Sequence, residues 1–254
     1  MKKRKAGIVI FVIVLIITAV RIKSMDSHRI SGRILAENIA GPGMLRLVEQ
    51  SMQARARKTS VTEIAVKERK HPQAALTFDD GPDIRYTPLL LDGLKERNVR
   101  VSFFLLGEKV EQYPELVERM QKEGHLVGNH TYHHVQLNKL NETKAREEIL
   151  KTNNLIYETT GVYPLYLRPP FGAWKKNLEL CVEMLPVFWT IDTLDWKVQN
   201  TEKIVRTVQE QIEDGAIILM HDEYDTSVEA ALQVVDELKN QGYELVTVDR
   251  LILP

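Results

Sequence analysis

A chain of 254 residues holds one large domain or two small ones, and 44% hydrophobic against 27% charged residues excludes a chain too polar to bury a core. The single cysteine, Cys181, excludes an intramolecular disulfide. It sits in an apolar helical pattern with Leu178, Val182 and Leu185, so it reads as a small buried hydrophobe rather than a catalytic thiol. The net charge of -1 conceals two unlike parts: residues 1–70 carry 15 Lys/Arg against 5 Asp/Glu, a net of +10, and residues 71–254 carry 19 against 30, a net of -11.

Lys2-Lys3-Arg4-Lys5 precedes Ala6 to Val20, fifteen residues without a charge. This is shorter than the usual membrane span of ~20 residues, although Arg21 and Lys23 can snorkel to lengthen it. A signal peptide and an uncleaved anchor both fit. Ile17-Thr18-Ala19 is a poor cleavage signal, which favours the anchor within residues 1–23, with the cationic end inside and everything after Val20 outside. The expected place is therefore the cell membrane, single-pass, with secretion if the segment is cleaved. Residues 24–70 are polar, basic and weakly periodic, divided by Gly41-Pro42-Gly43, and read as a stalk. No internal repeat is present.

From His71 onward the pattern is regular. Apolar strand-like runs fall at 74–79, 100–106, 125–130, 164–168, 187–191, 216–221 and 243–248, separated by helical patterns at 87–97, 114–123, 141–159, 175–185, 201–213 and 228–241. Asn141-Glu-Thr-Lys and Thr201-Glu-Lys-Ile look like helix starts, and Asn98, Gly124, Gly161, Gly215 and Gly242 like helix ends. Seven strands alternating with six helices predict an α/β domain over 71–254. No dinucleotide glycine fingerprint follows the first strand, so a distorted (β/α) barrel of about seven parallel strands is expected, with its chemistry at the carboxyl ends of the strands.

Polar clusters sit at those ends. The first strand runs Ala74-Ala75-Leu76-Thr77-Phe78 into Asp79-Asp80-Gly81-Pro82, two adjacent carboxylates whose repulsion calls for a cation or a proton; alone they would read as a solvated acidic turn. After the third strand comes Asn129-His130-Thr131-Tyr132-His133-His134. A single helical turn there would put His130 and His134 on one side, and two imidazoles with a carboxylate suit a divalent ion, Zn²⁺ above all. His133 is given no role. The fourth strand ends in Arg168-Pro169-Pro170-Phe171-Gly172, where two prolines stiffen the loop; the fifth runs into Asp192-Thr193-Leu194-Asp195-Trp196; a later buried strand ends Leu219-Met220-His221.

These segments resemble the polysaccharide deacetylases, carbohydrate esterase family 4, which share the nodulation-factor deacetylase homology domain. The family's five motifs have counterparts in order: Thr77 to Pro82, His130-Thr131-x-x-His134, Arg168-x-Pro170-Phe171, Asp192-x-x-Asp195-Trp196 and Leu219-x-His221. Phe171 stands where tyrosine is commoner. The resemblance covers roughly residues 72–250 and implies metal-dependent hydrolysis of an N-acetyl amide on a glycan. It also implies roles. Asp80, His130 and His134 would hold the metal; Asp79 would be the general base, aimed by Arg168; His221 would protonate the leaving amine, supported by Asp195. The Phe171 N–H, in the loop stiffened by Pro170, would meet the oxyanion, and Trp196 and Leu219 would enclose the acetyl methyl. The expected substrate is a cell-surface polymer containing N-acetylglucosamine, peptidoglycan first, with a chitooligosaccharide deacetylase, an O-acetyl esterase and a non-catalytic glycan-binding protein as alternatives. The expected partners are that glycan and, through the N-terminal helix, the membrane, with no nucleic acid.

Overall fold

The computed structural model describes residues 71–174 and 184–252. The expected anchor, the basic stalk, Cys181 and nearly all of the helix expected at 175–185 lie outside the described residues. Among the described residues no helix is long and apolar enough to cross a membrane.

Eight parallel strands form one sheet: β1 (Gln73–Asp79), β2 (Ser102–Leu105), β3 (Leu126–Asn129), β4 (Tyr166–Leu167), β5 (Leu185–Pro186), β6 (Ile191–Asp192), β7 (Ala216–His221) and β8 (Glu244–Leu245). The spatial order is β5-β4-β3-β2-β1-β7-β6, with β8 joined to the start of β1. The α-helices among the described residues are α1 (Thr87–Glu96), α2 (Gly107–Gln112), α3 (Pro114–Lys122), α4 (Glu142–Thr160), α5 (Asp195–Val198), α6 (Thr201–Gln211), α7 (Asp225–Asn240) and α8 (Val248–Ile252). The single run expected at 187–191 is two short strands flanking an irregular link. Helices α2, α5 and α8 are too short to show a helical period in the sequence. Asn200, rather than Thr201, caps α6, its side chain accepting the Lys203 N–H at 2.9 Å; Asn141 caps α4 as expected, accepting from Lys144 at 2.9 Å.

Among the described residues, β5 and β6 stand at opposite ends of the order and are not paired to each other. Yet Pro186 and Ile191 are five residues apart in the chain, so the two edges lie within about 18 Å of one another. The sheet is therefore curled into an incomplete barrel.

Strand alternation explains its two faces. Ala74, Leu76 and Phe78 of β1, Phe103 and Leu105 of β2, and Ile218 and Met220 of β7 point outward into the main core, where Leu90, Leu91 and Leu94 of α1 and Val234, Val235 and Leu238 of α7 cover them. The other set points inward. Ala75, Phe104, Tyr166 and Val187 pack around Val248 of α8, whose N–H bonds the Ser102 hydroxyl at 2.9 Å and closes the amino-terminal end. Beyond them, towards the carboxyl end, the inward positions of β1 become polar: Thr77, then Asp79.

The Phe104 ring has room because Gly128 lies beside it. A Cβ at Gly128 would come 2.7 Å from Phe104 Cδ1 and 3.1 Å from the Tyr166 carbonyl oxygen. Gly128→Ala is therefore expected to cost ~1–3 kcal/mol of stability by overpacking. Urea denaturation checks this; an unchanged midpoint would mean that the interior has slack at this level.

Candidate active site

Parallel strands deliver their carboxyl ends to one rim, and the registers pair Asp79 with His221 and with Phe104, Leu105 with Asn129, and Asn129 with Leu167. Asp79, the residue after it, and the residues following β3, β4 and β6 thus meet His221 in one place.

Arg168 follows β4 and is fully buried. Its guanidinium donates to Asp79 Oδ1 at 2.8 Å and Thr77 Oγ1 at 2.6 Å, and to the carbonyls of Val187 and Phe188 at 3.4 and 3.3 Å. It lies 4.3 Å from the centre of the Phe104 ring. Burial pushes the Asp79 carboxyl above its ordinary pKa, while the charges of Arg168 and His221 pull it back; burial likewise lowers Arg168, opposed by Asp79.

Asp80 leaves the strand at φ 68, a left-handed conformation that aspartate tolerates better than most residues. That turn separates the neighbouring carboxylates: Asp79 faces the arginine, whereas Asp80 Oδ1 lies 3.4 Å from both His130 Nε2 and His134 Nε2. The three atoms that could ligate an ion lie within 4.8 Å of one another. His130 Nδ1 is 2.6 Å from the Arg168 carbonyl oxygen, which can accept only, so the proton sits on Nδ1 and Nε2 presents a lone pair. Burial brings the His130 pKa down to about 3, which keeps the ring neutral. Asp80 Oδ1 is buried without a hydrogen-bond donor among the described residues. A carboxylate oxygen 3.4 Å from two imidazole nitrogens, the His130 one presenting a lone pair, and with no donor of its own, fits a cation between them.

On the other side, Asp195 is fully buried at the start of α5. Its Oδ2 accepts the His221 N–H and its Oδ1 takes the His221 ring at Nδ1, both at 2.8 Å. Burial pulls the His221 pKa down, but the Asp195 hydrogen bond and the charges of Asp195, Asp79 and Asp80 outweigh it and carry the value up to about 9. His221 Nε2 stands 3.8 Å from Asp80 Oδ2.

One expectation about the rim is corrected. His130 and His134 do not share a helical turn; the loop between them bends through Thr131 (φ 66) and His134 (φ 55), because its amides bond to side chains instead of a helical ladder. Trp196 stands on the one-turn helix α5, 49% exposed, and Leu219 is buried on β7. Pro170 is buried, and Phe171, at φ 59, is exposed with its ring centre 4.5 Å from that of His134.

Comparison with known proteins agrees with this geometry. The chain matches the family described as polysaccharide deacetylase over residues 66–187. It is 36% identical over 186 residues to a peptidoglycan-N-acetylglucosamine deacetylase of Bacillus cereus, covering 70% of this chain and 87% of that protein. The chain belongs to the polysaccharide deacetylase family. Among other members, it is 42% identical to peptidoglycan-N-acetylglucosamine deacetylase PgdA of Listeria monocytogenes across 73% of this chain, but spans only 40% of that longer protein. The crystal structure of peptidoglycan deacetylase PdaC from Bacillus subtilis superposes with a TM-score of 0.70 at 41% identity, covering 72% of this chain and 91% of that one.

Several residues that build this site have no role assigned from the sequence. Thr77 bridges Arg168 and the Ile218 carbonyl, at 2.6 and 2.7 Å. Asn129 and Asp222 each adjoin a histidine of the motifs, which was the available signal. Asp222 is fully buried behind Gly81, where an added Cβ would meet its Oδ1 at 2.5 Å; it accepts a hydrogen bond from Thr87 at the start of α1. Burial raises its pKa to about 7 from the ordinary 3.8. Between those values the folded state holds a proton that the unfolded chain has lost, so this group's contribution to stability is full below 3.8, declines as pH rises, and is gone above about 7. Asp222→Asn should therefore gain stability over the parent as pH rises through that window and hold a constant advantage beyond it. Thermal unfolding of the two chelator-treated proteins over the window checks this. A pH-independent difference would show that the buried carboxyl does not titrate there.

Proposed function

We propose that the chain is a divalent-metal-dependent hydrolase that removes N-acetyl groups from peptidoglycan. The observation that carries the reading is the convergence of Asp80, His130 and His134 between two buried charged pairs, Asp79–Arg168 and His221–Asp195. The names of the relatives support the substrate class. Asp80, His130 and His134 would hold the ion, and the mixed imidazole–carboxylate set favours Zn²⁺. An ion held there would polarise the acetyl carbonyl and acidify the attacking water.

The remaining steps belong to the chain's own groups. As water oxygen bonds to the carbonyl carbon, Asp79 takes its proton; Arg168 fixes the direction of that carboxylate and opposes the burial that disfavours its anion. The Phe171 N–H, in the loop stiffened by Pro169 and Pro170, would donate to the oxygen that gains charge. When the C–N bond breaks, His221 gives its Nε2 proton to the departing amine, leaving acetate and a free amino sugar; Asp195 favours the imidazolium from which that proton comes. Leu219 and Trp196 flank the acetyl methyl. The apolar segment 6–20, read as an uncleaved anchor, would hold the enzyme against the wall from outside; N-terminal sequencing of the mature protein starting near Val20 would instead make it secreted.

N-acetylglucosamine is the first choice of sugar. N-acetylmuramic acid is the second, because PdaC of Bacillus subtilis, 42% identical over 177 residues, is named for that activity. Mass spectrometry of muropeptides before and after treatment with the enzyme decides: loss of one acetyl mass locates the reaction and fragmentation assigns the sugar. No loss from polymer, with acetate released from chitooligosaccharides or acetyl esters, would reassign the substrate; no acetate from any of them would make the chain a binding protein.

The adjacent carboxylates provide the sharpest test of the roles. Asp80→Ala should bind metal more weakly and regain part of its activity in excess divalent ion. Asp79→Asn should keep the metal and lose ~10²–10⁴-fold in rate, with no rescue by added metal. Elemental analysis and acetate release across a metal titration distinguish them. A metal-free Asp79→Asn, or one rescued by Zn²⁺, would exchange the two assignments.

A further inference from the structure

The loop that carries both imidazoles has no regular structure to hold it. Thr131 and His134 are non-glycine residues in the left-handed region, which persists only where the surroundings over-determine it. The carbonyls of Thr131 and Tyr132 accept the Gly107 and Glu108 N–H groups, and the amides between the two histidines are held by a side chain of the neighbouring helix α4. Glu148 Oε2 accepts both the Tyr132 N–H at 3.1 Å and the His133 N–H at 2.9 Å, and its Oε1 lies 2.8 Å from His133 Nδ1. The carboxylate is largely buried, with 16% of its side chain exposed, so these are charge-assisted bonds partly sheltered from water. Asn129 supports the loop from below, accepting the Thr131 N–H at 2.7 Å while its own amide is tied to α4 through the Ile149 carbonyl at 2.9 Å.

We propose that Glu148 is a positioning residue for the metal site, presetting His130 and His134 by clamping the two backbone amides between them. The proposal rests on the metal-site reading of Asp80, His130 and His134. Glu148 acts through the backbone: it touches neither imidazole ligand and holds the intervening His133 instead. Its removal leaves two amides to find water and frees the loop to leave the left-handed turns, so that a bound ion must reorder both ligands. Supporting groups of this kind change metal affinity by roughly 10–100-fold.

The test uses the full chain, stripped of metal and titrated with Zn²⁺ against a chromophoric chelator. Glu148→Ala should lose about 10–100-fold in Zn²⁺ affinity. Glu148→Gln should stay within a few-fold, because its carbonyl oxygen can accept both amides and its NH₂ can donate to His133 Nδ1. Parent-like affinity in Glu148→Ala overturns the proposal. Equal losses in the Ala and Gln variants overturn it too, since they would assign the effect to charge at large rather than to the clamp. If the Ala variant does not fold, Glu148→Asp replaces it. Its shorter arm keeps the charge but cannot reach both amides and His133 together, so a loss of affinity is expected and an unchanged value is fatal. A parent chain that binds no Zn²⁺ removes the metal reading itself, an outcome distinct from unchanged binding in the variants.

Discussion

A buried guanidinium is the constraint around which this domain is arranged. Arg168 has the largest fully buried side chain among the described residues, and a cation there is tolerable only with its donors satisfied. Its partners come from two parts of the chain: Thr77 and Asp79 on the central strand, and the carbonyls of Val187 and Phe188 in the link between β5 and β6. The link supplies those carbonyls where the ladder is interrupted, since residues 187–190 are not in a strand. The gap in the barrel and the buried arginine thus complement each other. Removing either partner of such a pair typically costs ~3–5 kcal/mol because it strands the other charge, so Asp79 is bound to the fold as well as to the chemistry.

The same constraint resolves the clash of two neighbouring carboxylates. Alternation sends Asp79 inward, where the arginine waits, and the left-handed turn at Asp80 swings the second acid off the strand toward the histidines. One carboxylate is compensated by a fixed cation inside the protein; the other is left facing two imidazole nitrogens. Different environments for adjacent acids are what allow different roles, and here the backbone rather than the side-chain type creates the difference.

How far this could be read in advance depended on the kind of signal. The outward residues of β1 and β7, such as Leu76, Phe78, Ile218 and Met220, gave clear apolar runs, and the rim residues stood directly at their ends. The link at 187–190 read as a strand because Val187, Phe188 and Trp189 are apolar, whereas their backbone serves Arg168 and the turn into β6. The His130–His134 spacing suggested a helical turn because spacing records separation, not the φ values of Thr131 and His134. Glu148 gave no signal at all: it lies on an amphipathic helix among other acids, and its partners are backbone amides, which have no residue identity. His125 marks the opposite limit. It is buried, with its pKa taken down to about 4 by desolvation, and its Nδ1 simply accepts the Val101 N–H at 3.1 Å.

The two histidines proposed for ligation and for proton donation differ in one contact. His130 is buried and His221 nearly so, and in both Nδ1 faces an oxygen, which leaves Nε2 toward Asp80. For His130 that oxygen is the Arg168 carbonyl, a neutral acceptor, and burial prevails: the ring is neutral. For His221 it is the Asp195 carboxylate, and the negative charge prevails over burial, so the ring holds its second proton. The identity of the Nδ1 acceptor therefore sorts one imidazole toward a cation and the other toward a leaving group. Arg168 contributes to both halves of this arrangement, its side chain fixing Asp79 and its carbonyl fixing the tautomer of His130. A backbone shift at that one residue would disturb the proposed base and a proposed ligand together, and the Pro169-Pro170 segment that follows it directly limits the backbone freedom there.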